Sequence, residues 1–454
     1  MAKTSIQYVC SSCGAKAPQM LGRCPVCGEW GTYEEEVVES TKNKGQGTKA
    51  GHSSQPKRLQ EVEATEEMRI DMHNGEFNRV LGGGLVPGSL VLLGGEPGIG
   101  KSTLALQVLM QQGERKTFYA SGEESVRQLK LRAERLSGDA ENLYISSETS
   151  LERILEQVKE MEPEIVVIDS IQTIGTEDVD ATIGSLTQVR ECAARILEFA
   201  KTRNIPFIII GHINKEGSLA GPKVLEHIVD TVLQFEGDQQ YMYRILRAQK
   251  NRFGSTSEIG IYEMRQEGLR EVTNPSELLL STAREGLSGI AIAAAVEGVR
   301  PFLIEVQALV STAAYGTPQR SSTGFDGRRL NMLLAVLEKR IGFKLLQKDV
   351  FLNIAGGLRV QDPAIDLAVL AAVLSSNMDI ALDAGTCLCG EVGLAGEIRP
   401  VTRIEQRISE AQKLGFRRIL VPAEHKIDTR RYTIEVVPVK RVTDAFRLLI
   451  KSNA

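Results

Sequence analysis

The sequence lacks any apolar run approaching the ~20 residues that cross a bilayer, so no membrane-spanning helix is expected. Its opening, MAKTSIQYVC, has no apolar stretch followed by a small-residue cleavage site. A secretory signal is therefore not expected, and the cytoplasm is the expected location. Charge of one sign is nearly absent in the net, because 54 Lys and Arg stand against 58 Asp and Glu, leaving −4. That balance hides any basic patch and neither argues for nucleic acid nor excludes it. Cysteine is sparse and uneven: seven in the chain, an odd number, with four packed into residues 10 to 27. Such clustering points to a metal site in a reducing compartment rather than to a disulfide framework.

What is present is a chain of 454 residues, 42% hydrophobic and 25% charged, the composition of a multi-domain globular protein. Four blocks follow from composition. Residues 1–33 hold the cysteine cluster and the single tryptophan, Trp30. Residues 34–64 are polar, charged and rich in Gly, Ser and Lys, which reads as a flexible linker. From 65 to 272 the runs LVLLG, TFYAS, IVVID, FIIIG and TVLQF alternate with helical patterns, implying a parallel sheet covered by helices. From 273 to 454 strand runs such as DVFLNIAGG accompany a long apolar helix candidate, AIDLAVLAAVLSS, as in an α+β or α/β domain.

Gly95-Glu96-Pro97-Gly98-Ile99-Gly100-Lys101-Ser102-Thr103 lies between a buried-strand pattern and a helical one. This is a phosphate-binding loop in its required strand–loop–helix context. Glycines let backbone N–H groups turn toward phosphate oxygens, and the helix N-terminus adds the positive end of its dipole. Lys101 is expected to reach the β and γ phosphates of ATP, and the Ser102 hydroxyl to hold Mg²⁺. Ile165 to Asp169 is an apolar strand ending in a carboxylate, so Asp169 is the expected partner of Ser102 at the metal.

Hydrolysis needs a group to orient or deprotonate the attacking water. The strand Phe118 to Ser121 ends in Glu123 and Glu124. In RecA-like and DnaB-helicase-like ATPases, which this segment resembles, the catalytic glutamate sits at that place; this favours Glu123, with Glu124 a close rival. The same resemblance makes His212, at the end of the strand Ile208 to Gly211, a candidate γ-phosphate sensor.

Further stretches resemble the bacterial RadA (Sms) family: His212 to Gly217, Ala220 to Lys223, Leu225 to Asp230, and Lys250-Asn251-Arg252-Phe253-Gly254, which matches that family's K-N-R-F-G signature in full. The resemblance covers nearly the whole chain. It implies an α/β fold, a RecA-like P-loop NTPase core with an N-terminal zinc ribbon and a C-terminal Lon-protease-like α/β domain. It also implies a DNA-dependent ATPase of recombinational repair, a homohexameric motor that binds single-stranded and branched DNA, drives branch migration and works beside a recombinase of the RecA type. Loops near Ile174 to Ser185 and Lys215 to Lys223 are then expected to touch DNA phosphates. Lys250 and Arg252 are expected to act as catalytic cations on a neighbouring subunit's γ-phosphate. A loop contacting DNA phosphates is the competing reading.

Cys10-Ser11-Ser12-Cys13-Gly14 and Cys24-Pro25-Val26-Cys27-Gly28 are two C-x-x-C-G turns. Four thiolates give the tetrahedral sulfur site that Zn²⁺ favours, with no position left for substrate. Cys10, Cys13, Cys24 and Cys27 are thus the expected ligands of a structural zinc, whose binding would supply the module's folding free energy. The module's role, DNA contact or protein docking, stays open. Cys192, Cys387 and Cys389 read as packing residues.

The C-terminal block resembles the proteolytic domain of Lon through Asp349 to Gly357, Gln361 to Ala368 and Cys389 to Val401. Lon uses a Ser–Lys dyad. The nucleophile would fall near Ala364 or Ile365, yet no Ser, Thr or Cys lies between Gln361 and Leu374; the lysine would fall near Glu405, where none occurs. Peptidase activity is not expected, which weakens the alternative reading, a Lon-like ATP-dependent unfoldase or protease. Arg328, Arg329, Lys339, Arg340, Lys344 and Lys348 form either a DNA-facing basic surface or a solvated helix face.

Overall fold

A computed structural model of the chain describes residues 3–10, 16–25, 28–40, 68–136, 140–212, 223–237, 243–280, 286–313, 318–357 and 359–451. Two compact units divide it: Met1–Glu236 with Leu246–Thr256 and Met264–Glu271, and Gly237–Ile245 with Ser257–Glu263 and Val272–Ala454.

The N-terminal module is an antiparallel sheet of β1 (Lys3–Cys10), β2 (Lys16–Ala17) and β3 (Tyr33–Ser40), in the order β2-β1-β3. Among the described residues its buried apolar set is Cys10, Ala17, Cys24 and Tyr33.

The core of the first unit begins with α1 (Gly75–Leu81), capped by the Asn74 side chain, which accepts from Phe77 N. There follow β4 (Leu90–Gly95), α2 (Lys101–Met110), β5 (Thr117–Ser121), α3 (Val126–Ala133), β6 (Leu143–Ser147), α4 (Leu151–Met161), β7 (Ile165–Asp169), α5 (Leu186–Arg203), β8 (Phe207–His212), α6 (Lys223–Ile228) and β9 (Thr231–Glu236). Strands lie in the order β9-β4-β8-β7-β5-β6, and the pairs β4–β9, β4–β8, β7–β8, β5–β7 and β5–β6 are all parallel. The five apolar runs of the sequence are β4, β5, β7, β8 and β9. The sixth strand, β6 (LYISS), escaped the apolar pattern because it is an edge strand with no fully buried position. The helices start where their sequences provide caps: Ser125 and Gln128 form a capping box at α3, and Ser150 and Ser185 accept from the third residue of α4 and α5. A parallel sheet covered by helices around a P-loop strand is the α/β, RecA-like core.

The chain continues through β10 (Tyr243–Asn251), β11 (Ile259–Arg265) and β12 (Gly268–Glu271). The second unit then adds α7 (Pro275–Leu279), β13 (Ile290–Glu297), β14 (Arg300–Thr312), β15 (Arg320–Thr323), α8 (Gly327–Val336), β16 (Lys348–Ile354), α9 (Asp366–Met378), β17 (Thr386–Leu388), β18 (Glu391–Val392), β19 (Ile398–Arg399), α10 (Ile404–Lys413), β20 (Arg418–Pro422), β21 (Glu435–Val439) and α11 (Val442–Lys451). Its seven-stranded sheet has the order β15-β16-β14-β13-β17-β20-β21. Every residue of α9 from Asp366 to Ser375 is buried, as expected of a helix apolar on all faces.

Candidate active site

The phosphate loop joins β4 to α2. Gly98 and Gly100 have φ of 78° and 115°, and a Cβ on Gly100 would lie 2.8 Å from Met264 Cε. An L side chain at Gly100 is thus opposed by both backbone and space. Lys101 is buried, and its ammonium donates to the carbonyls of Gly95 and Glu96, each at 2.9 Å. Burial pulls the Lys101 pKa down, against the opposing charges of Asp169 and Glu123.

Because β5, β7 and β8 are adjacent and parallel, their C-terminal ends bring residues from three distant stretches together. Ser170 follows Asp169, and its hydroxyl donates to Glu123 Oε1 at 2.6 Å. His212 Nε2 lies 3.0 Å from the same Glu123 oxygen. Burial pushes the Glu123 pKa up, but the Ser170 and His212 hydrogen bonds and the His212 and Lys101 charges outweigh it, leaving the carboxyl below its ordinary value. Glu124 faces elsewhere: its carboxylate forms an ion pair with Arg132 of α3. The tertiary contacts thus separate two glutamates that the sequence left as neighbours.

Asp169 is 3% exposed, and Tyr119 donates its hydroxyl to Asp169 Oδ2 at 2.6 Å. The other oxygen, Oδ1, is buried without a hydrogen-bond partner among the described residues. An unsatisfied buried carboxylate oxygen is costly in an apoprotein and fits a cation or its water shell, so the residues present suit Mg²⁺. Ser170 and Tyr119 carry no motif signal; only strand adjacency reveals them.

The K-N-R-F-G motif ends β10. Lys250 Nζ donates to the carbonyls of Glu226 (2.5 Å) and Val229 (2.8 Å), closing the end of α6. Arg252 Nη1 pairs with the buried Asp230 at 3.2 Å, and Asn251 Nδ2 donates to the carbonyls of Val80 and Leu81 at the end of α1. Among the described residues neither cation is joined to Lys101, Asp169 or Glu123.

In the cysteine module, Cys10 Sγ lies 3.1 Å from Thr32 Oγ1, and Tyr33 donates its hydroxyl to Cys24 Sγ at 3.7 Å. Gly28 N donates to Cys24 O at 2.9 Å, with Gly28 at φ 79°, a tight turn that only glycine adopts without strain. Cys13 and Cys27 lie outside the described residues. Two buried sulfurs, those of Cys10 and Cys24, are the donor chemistry that zinc takes.

In the second unit the position expected for a nucleophile holds Ala364, fully buried, and Glu405 stands exposed on the first turn of α10. On the same helix α10, Arg407, 1% exposed, donates to Ala294 O (2.7 Å), Asp362 Oδ2 (2.6 Å) and Thr402 O (2.9 Å). The thiols of Cys387 and Cys389 are pushed up by burial, Cys389 to about 12, so neither is a nucleophile. Of the six clustered cations, Arg329 is spent on the buried Asp366, while Arg328, Lys339 and Lys344 are exposed.

A family profile for an AAA domain matches residues 55–218, one for a rubredoxin metal binding domain matches 8–35, and one for subunit ChlI of Mg-chelatase matches 328–425. The DNA repair protein RadA of Bacillus subtilis is 50% identical over 98% of this chain and 99% of its own. RadA of Listeria monocytogenes is 47% identical over 98% of both chains, and that of Streptococcus pyogenes 49% identical over 97% of this chain and 98% of its own. Among solved structures, a KaiC-like protein of Pyrococcus horikoshii is 20% identical, with a TM-score of 0.38, over 45% of this chain and 99% of its own. With relatives at this identity along almost its full length, and a P-loop ATPase core between a zinc ribbon and a Lon-like domain, the chain belongs to the RadA family.

Proposed function

We propose that the protein is a DNA-dependent ATPase of recombinational DNA repair, a hexameric motor that binds single-stranded DNA and drives branch migration. Two things support the reading: the convergence of Glu123, Ser170 and His212 beside the buried Lys101, and relatives named as DNA repair proteins. The loop from Gly95 through Glu96, Pro97, Ile99 and Gly100 to Thr103 cradles the triphosphate, with Lys101 on its terminal phosphates. Mg²⁺, held by Ser102 and Asp169, would supply charge neutralisation there. Glu123 accepts a proton from, or orients, the attacking water, and the Ser170 and His212 contacts keep it ionised for that task. His212 senses the γ-phosphate through the oxygen of Glu123 that it shares with Ser170.

Lys250 and Arg252 act in trans on the neighbouring subunit's phosphates. Release of Lys250 from two carbonyls and of Arg252 from Asp230 would accompany ring assembly. Cys10, Cys13, Cys24 and Cys27 hold one structural zinc. Of the two segments expected to touch DNA, the stretch 174–185 contains Glu177, Asp178 and Asp180 and no Lys or Arg. Gln188 binds the carbonyls of Thr176, Val179 and Ala181, and Arg195 pairs with Asp178 and Glu152. An acidic, pinned loop is a poor phosphate contact, so we assign that role to residues 215–223 alone, of which 215–222 lie outside the described residues.

The test is ATP turnover by the full chain with and without single-stranded DNA. Stimulation is expected; absence of both stimulation and DNA binding would sink the motor reading. Lys250→Ala should lose motor activity with its zinc content unchanged, and full translocation by that variant would remove the role given to Lys250.

A further inference from the structure

Tyr119 is a fully buried aromatic in the middle of β5, between β7 and the edge strand β6, and no motif marks it. On the parallel neighbours β5 and β7, Tyr119 stands opposite Val167 and Ser121 opposite Asp169. Tyr119 therefore points to the same side of the sheet as Asp169, one residue pair back from the strand end, with its hydroxyl 2.6 Å from Asp169 Oδ2. Phenylalanine would fill the same ring volume, so packing alone does not call for the hydroxyl. Its geometric effect is on the carboxylate. A hydroxyl on a rigid, buried ring fixes one oxygen and leaves only Oδ1, buried and unpartnered among the described residues, to meet a ligand. Hydrogen-bond partners of metal-holding carboxylates set their orientation in this way.

We propose that Tyr119 is a positioning residue of the nucleotide site, holding Asp169 so that a single oxygen faces the metal. The proposal rests on Asp169 being the metal-side carboxylate.

The experiment uses the full chain and a fluorescent ADP, titrated first in EDTA and then with increasing Mg²⁺, so that metal-free binding and the Mg²⁺ midpoint are read separately. Tyr119→Phe is expected to keep wild-type binding in EDTA while its Mg²⁺ midpoint rises about 10-fold or more. Asp169→Asn is expected to shift the midpoint at least as far, and the double variant no further than Asp169→Asn alone, because the hydroxyl acts only through that carboxylate. A Tyr119→Phe midpoint equal to wild type would overturn the assignment, as would loss of binding in EDTA, which would make the hydroxyl a requirement of the fold. A wild-type midpoint in Asp169→Asn would instead remove the role of Asp169 itself.

Discussion

The two large units carry comparable architecture and opposite chemistry. In the first, strand ends gather ionisable groups that stay poised: Lys101 held by carbonyls, Glu123 kept ionised, Asp169 with one oxygen unsatisfied. In the second, the position expected for a nucleophile holds the buried Ala364, and the buried Arg407 pairs with Asp362, to which Val296 N also donates. Poised, partly unsatisfied groups mark a working site, because such groups are costly unless a ligand completes them. An ion pair already met by its own neighbours leaves little for a ligand to complete. One chain thus carries an ATPase core whose groups await a ligand and a Lon-like domain with Ala364 at the nucleophile position.

This contrast can be broken or sharpened by experiment. Glu123→Gln should lower the ATP turnover number by about 10²–10⁴-fold while leaving nucleotide affinity nearly unchanged. Glu124→Gln, which disturbs only the Arg132 pair, should leave most of the rate intact, and equal losses in steady-state assays would end the distinction between the two. In the second unit, Arg407→Ala should destabilise the fold by about 3–5 kcal/mol in denaturant melts, because Asp362 loses the one cation paired with it among the described residues and keeps only the backbone N–H groups of Val296 and Ala364.

A smaller effect is expected from pH. Burial pushes the Glu152 carboxyl up, but hydrogen bonds from Thr176, its own backbone and Arg195, with the Arg195 charge, carry it from 4.5 down to about 2. A depressed carboxyl contributes stability that is present above the unfolded pKa and lost as pH falls through the folded one. Melts between pH 4.5 and pH 2 should therefore show a loss that Glu152→Gln flattens, and an unchanged slope would show that the pair is screened. The smallest effect is expected from Ala364→Ser: with no lysine at Glu405 and the position buried, peptide hydrolysis should stay at background, and any measurable cleavage would contradict the expected lack of peptidase activity.

Much of this protein was legible in residue order. The phosphate loop, the apolar strand ending in Asp169, the paired C-x-x-C turns and the missing dyad are local patterns, because backbone conformation, strand burial and metal-ligand spacing are set by near neighbours in sequence. The five strongest strands could be read for the same reason, and edge strand β6 could not, since half-exposed strands need no apolar run. The tertiary structure alone decided which groups meet. It joined Glu123 to Ser170 and His212, turned Glu124 to Arg132, set Tyr119 against Asp169 and placed Arg407 beside Asp362. Those contacts span 8 to 89 residues of sequence and follow from the order in which strands pack and loops return, which no local pattern records.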